Sequence, residues 1–158
     1  MSRKKLIINY GLLIVWLMAI FLLSSEPSTI SSGRSGVLVH TIQSINPSLT
    51  DTHTVTFFVR KAAHVTAYFI LGILMFRVVR MYKFTARRAV LLSVALVALY
   101  AISDELHQLL VNGRSAEVRD VLIDTIAGTI GVLVTYFIIR KYALRKTASS
   151  GQNSKNNV

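Results

Sequence analysis

The chain has 158 residues, 53% of them hydrophobic, with a mean hydropathy of +0.53, two prolines and no cysteine. That length leaves no room for two domains, and the missing cysteines exclude disulfides, thiolate metal sites and cysteine nucleophiles. A net charge of +11 would suggest nucleic acid in a soluble protein, but the placement of the charges described below excludes that partner.

Four apolar stretches stand out in chain order: Leu6 to Leu23, Ala62 to Val79, Ala89 to Ile102 and Val121 to Ile139. Each extends through its neighbours to the roughly 20 residues that cross a bilayer as a helix. The expected fold is therefore all-α, a polytopic bundle of four transmembrane helices over about 6–24, 57–79, 86–108 and 116–140, forming one domain from 1 to 146. The first stretch follows Arg3, Lys4 and Lys5, is long for a signal-peptide core and has no clear Ala-x-Ala site after it, so it reads as a retained anchor with Trp16 mid-span. Between the first two spans, Ser24 to Thr56 is rich in Ser, Thr, Gly and Pro. Val37, Leu38, Ile42, Ile45 and Leu49 recur there at helical spacing, which predicts a short amphipathic helix on the outer surface. The third span is short, but Arg87 and Arg88 can snorkel at one end while Ser103 to Gln108 continues the helix at the other. The polar tail, residues 147–158, is low in complexity and is expected to be disordered.

Lys and Arg near helix ends mark cytoplasmic loops. One set of segments holds Arg3, Lys4, Lys5, Arg77, Arg80, Lys83, Arg87, Arg88, Arg140, Lys141, Arg145, Lys146 and Lys155 with no acid; the other holds five basic residues and all seven acids. This partition predicts that both termini are cytoplasmic and that the acids lie outside. The basic residues then serve as membrane anchors, which removes the nucleic-acid reading.

Polar residues with chemistry collect at the outer ends of the last three spans. Arg60, His64 and Tyr68 are spaced four apart on one helix face, beside Lys61 and above Gly72. Ser103-Asp104-Glu105-Leu106-His107-Gln108 closes the third span, and Asp104 can act together with His107 and Gln108 at i+3 and i+4. After an Asn112-Gly113 turn and Arg114, Ser115 is a suitable N-cap, and Glu117, Asp120, Asp124, Gly128 and Gly131 form one stripe. Glycines let membrane helices approach closely, so that stripe should face into the bundle and carry its carboxylates inward. An ionised Asp124 facing lipid would cost on the order of 2 to 3 kcal/mol, which demands a partner such as Arg60, Lys61 or Arg114.

Three readings of this cluster remain open. Arg60, Lys61, His64 and Arg114 suit a phosphate or carboxylate, such as an anionic lipid head group or a lipid-linked cell-wall precursor. Asp104, Glu105, Asp120 and Asp124 with His64 and His107 could instead hold a divalent metal and activate water, Asp104, Glu105, His107 and Asp124 serving as ligands or general bases of a hydrolase or transferase, although no recognised metalloenzyme motif supports this. In the third reading the ion pairs fix helix packing and the protein is structural. The residues alone assign no cofactor and name no catalytic group, and oligomeric state stays open.

The polar blocks Arg60-Lys61-x-x-His64-x-x-x-Tyr68, Ser103-Asp104-Glu105-x-His107-Gln108 with Gly113-Arg114, and Glu117-x-x-Asp120-x-x-x-Asp124 with Gly128 and Gly131 closely resemble those of the VanZ-like family of bacterial membrane proteins. Ser24-Ser25 through Ser35 is similar to the serine-rich stretch after that family's first helix, and Ala127 stands where a glycine is expected. The resemblance implies a multi-pass protein of the bacterial cytoplasmic membrane, some of whose relatives lower sensitivity to teicoplanin.

Overall fold

A computed structural model describes residues 3–45, 51–114 and 116–155. All regular structure among them is helical, in five elements: α1 (Arg3–Ser24), α2 (Ser28–Ile45), α3 (Thr52–Val79), α4 (Ala86–Gln108) and α5 (Val118–Lys155). Four segments are long and apolar enough to cross a bilayer: Arg3–Ser24, Thr52–Val79, Ala86–Gln108 and Val118–Lys146, of 22, 28, 23 and 29 residues. At about 1.5 Å per residue each exceeds the ~30 Å hydrocarbon core. Their outer faces are apolar. Ile7, Val15 and Leu22 on α1 are 61 to 67% exposed, a surface that lipid tails would cover.

Local chemistry sets the helix ends. Asp51 caps α3 by accepting from the backbone N–H groups of His53 (3.0 Å) and Thr54 (3.4 Å). Hydrogen bonds from the Thr54 side chain and backbone hold the Asp51 pKa below the usual carboxylate range. Thr85 caps α4 through Arg88 N, so a short loop suffices to reverse the chain after α3. Gly113, with φ 74°, takes the left-handed conformation in the turn between α4 and α5.

The tightest seam joins α3 to α5. A Cβ on Gly72 would strike the carbonyl of Gly128, and one on Gly131 would strike the carbonyl of Phe69. Only hydrogen fits there, so the two backbones touch, as the glycine stripe in the sequence anticipates. Around this seam Tyr68, Leu71, Phe76, Val97 and Val132 form a fully buried core. Helix α1 is attached more thinly, by directed bonds: Trp16 Nε1 donates to the Ala67 carbonyl at 2.9 Å and Tyr100 donates to the Leu17 carbonyl at 2.6 Å.

The helix expected after α1 is present and, at 18 residues, is longer than the short element expected. Its Val39 is 1% exposed, while Ile42 and Ile45 are exposed. Of the expected pattern, Leu49 and the side chains of Val37 and Leu38 lie outside what the structure describes. Helix α5 begins at Val118, and Ser115, the expected N-cap, also lies outside the described residues. The backbone of α5 is helical to Lys155, and residues 156–158 lie outside the described residues.

Candidate functional site

The site lies at the end of the bundle where α1 and α4 finish and α3 and α5 begin. Its deepest layer is organised by Asp104, which is 4% exposed. Oδ2 of Asp104 accepts from Ser24 Oγ at 3.0 Å, from the Tyr68 hydroxyl at 3.1 Å and, more weakly, from Gln108 Nε2 at 3.5 Å. Three helices thus converge on one carboxylate oxygen. Its other oxygen, Oδ1, takes no hydrogen bond from any described residue. Beside it Glu105, equally buried, accepts from Gln108 Nε2 at 3.4 Å and from the backbone N–H of Glu117 at 3.0 Å. Glu105 therefore satisfies a donor at the N-terminus of α5 and sets that helix against α4.

Asp124, 1% exposed, faces into the bundle as the stripe predicts and meets His64 Nδ1 at 3.4 Å. One turn nearer the helix start, Asp120 pairs with Lys61. The expected inward turn is therefore found for Asp120 and Asp124 but not for Glu117, which is exposed, and the partners are divided: Lys61 takes Asp120, and Asp124 is left with an imidazole.

Above this layer is a cavity of about 180 Å³ lined by Phe57, Arg60, Lys61, His64, Gln108, Gly113, Arg114, Glu117 and Asp120. Arg114 crosses to α1, donating to the Glu26 carbonyl at 3.1 Å and, more distantly, the Leu23 carbonyl, and also donates to Gln108 Oε1 at 3.2 Å. Burial, and then the nearby Arg60 guanidinium, pull the Arg114 pKa below the usual guanidinium value, with Asp104, Glu26 and Glu105 acting in the opposite direction. Gln108 links the two layers, since its oxygen accepts from Arg114 while its nitrogen donates to Asp104 and Glu105.

The remaining sequence candidates fall at the rim or away from the cluster. Glu117 pairs with Arg119 at 2.8 Å, both well exposed, an ion pair of little energetic weight. Ser103 is exposed, one residue and about 100° round the helix from Asp104. His107 does not act with Asp104 and Gln108 as its spacing suggests. It stacks on Phe21 at 4.5 Å and lies 2.9 Å from Ser25 Oγ, which ties α4 to α1. Ser24, Ser25 and the Glu26 carbonyl were missed as partners of the cluster. The serine pair closing the first apolar run was their signal, read above only as part of a serine-rich stretch.

Fold and cluster together define a polytopic α-helical membrane protein with buried ionisable residues gathered at one end of its bundle. The model of the VanZ/LLP1 family matches residues 10–140, most of the chain, and the protein belongs to that family. No curated protein and no solved structure matches the chain.

Proposed function

We propose that this protein lies in the bacterial cytoplasmic membrane with both termini inside, and that its cavity opens outward to bind the phosphate-bearing head group of an anionic lipid or lipid-linked cell-wall precursor. The observation that carries this reading is the lining of the cavity, where Arg60, Lys61, His64 and Arg114 border one space of about 180 Å³. Arg60 and Arg114 repel each other across it, and an anion between them would relieve that repulsion while accepting the planar fork of each guanidinium. Lys61 contributes less net charge because Asp120 already pairs with it. Capture of a surface precursor is also the route by which such a protein would alter susceptibility to teicoplanin.

The test is native mass spectrometry of protein purified in mild detergent without delipidation, beside an Arg60→Ala/Arg114→Ala variant expressed to the same level. A specific anionic lipid or precursor should accompany the wild type and be lost from the variant. The same bulk lipid on both would remove the support for a head-group site.

A further inference from the structure

Beneath the cavity, one ligand atom each from His64, Asp104 and Asp124 lies within 4.8 Å of the other two. Both carboxylates are almost wholly buried, and neither has a lysine or arginine partner among the described residues: Lys61 is engaged with Asp120, while Arg114 bonds Gln108 and backbone carbonyls. Two buried carboxylates so close together require a cation or a proton between them. Asp104 divides its oxygens in a way that favours the cation. Oδ2 is taken by Ser24, Tyr68 and Gln108, which fixes the side chain, and Oδ1 is buried with no donor.

We propose that His64, Asp104 and Asp124 form a binding site for a divalent transition metal of the zinc type. One imidazole nitrogen with two carboxylate oxygens is a zinc-compatible donor set that leaves the fourth tetrahedral position open. The distance between His64 and Asp124 agrees. Bonds of about 2.1 Å at the tetrahedral angle place two ligand atoms about 3.4 Å apart. His64 Nδ1 and Asp124 Oδ2 stand at 3.4 Å, long for a charge-assisted hydrogen bond but suitable for sharing an ion. One oxygen of Asp104 lies within 4.8 Å of both, near enough to complete the set once an ion draws the three groups together. Ser24, Tyr68 and Gln108 then act as outer partners that orient a ligating carboxylate.

His64 also lines the cavity, so the open position faces the space assigned above to a head group. A phosphate oxygen or a water molecule would fill it. Only this role for the open position rests on the head-group reading; the metal site itself stands on the three side chains.

The experiment is metal analysis of the full chain in detergent, stripped with chelator, reloaded with Zn²⁺ and desalted, with thermal unfolding followed in parallel. Wild type should retain about one zinc per chain and unfold at a higher temperature with it. His64→Gln, Asp104→Asn and Asp124→Asn should each lose affinity by about tenfold or more. Should a variant fail to fold, Co²⁺ added to wild type gives a variant-free answer, because a tetrahedral site produces intense visible absorption that Zn²⁺ abolishes. A wild type that retains no zinc and gives no cobalt spectrum overturns the proposal, as does equal retention by all three folded variants. Zinc retention without any specific lipid would uphold this site and defeat the head-group reading; the reverse result would do the opposite.

Discussion

The Tyr68 hydroxyl donates to Asp104 Oδ2 at 3.1 Å across the boundary between α3 and α4, and neither side chain is more than 4% exposed. Tyr68→Phe removes that donor from a buried carboxylate and leaves the ring in place. The expected loss is roughly 1.5 to 3 kcal/mol, the range for a hydrogen bond to a charged group. Thermal unfolding in detergent measures it, and an unchanged midpoint would mean that Ser24 and Gln108 alone satisfy Asp104.

Gly131→Ala drives a methyl group into the Phe69 carbonyl, a backbone atom that cannot move aside without parting α3 from α5. Destabilisation of at least about 1 to 3 kcal/mol is expected. Gly11→Ala is the control, because nothing lies within 4 Å of a Cβ there. Comparable yields and midpoints for the two variants would contradict the backbone contact between α3 and α5.

The orientation is open to a clean chemical test because the chain contains no cysteine. Asn112 and Lys83, both exposed, sit in turns at opposite ends of the bundle. On whole cells a membrane-impermeant maleimide should label Asn112→Cys, and it should reach Lys83→Cys only after lysis. The reversed pattern would turn the cavity toward the cytoplasm and remove cell-wall precursors on the outer surface from consideration.

The cap on α3 carries a pH signature. The pKa of Asp51 is lower in the folded chain than in the unfolded one, so its stabilising effect is fully present above the unfolded carboxylate value. That effect is lost as pH falls through the depressed folded value. Asp51→Ala should therefore weaken hydrogen-exchange protection in the first turn of α3 at neutral pH. The difference from wild type should vanish in acid; a difference that persisted there would exclude the charged cap as its cause.

The four spans were legible because crossing hydrocarbon imposes a length and an apolar content that few other structures share. The inward aim of Asp120 and Asp124 was legible as well, since Gly128 and Gly131 lie on the same stripe and have no purpose facing lipid. Pairing between helices was not. His64 reaches Asp124 and Lys61 reaches Asp120, a division fixed by how far α3 and α5 are rotated and slid against each other. Ser103 and His107 illustrate the same limit on α4. Both sit beside Asp104 in sequence, yet the helical phase sends one to the exposed surface and the other to Phe21 and Ser25. The contribution of α1 was hidden because its polar partners are two serines and a main-chain carbonyl, groups that carry no charge to draw notice.

The closest backbone contact joins the second and fourth spans, with the whole of α4 made between them. During synthesis the second span emerges with Gly72 bare, and its counterpart Gly128 leaves the ribosome 56 residues later. Until then Arg60, Lys61, His64 and Tyr68 enter the membrane without Asp120 or Asp124 beside them. Assembly of the polar cluster is therefore a terminal event in biogenesis. A chain stopped before its last span would hold Asp104 and Glu105 in an unfinished bundle, without the Glu117 N–H that Glu105 accepts from.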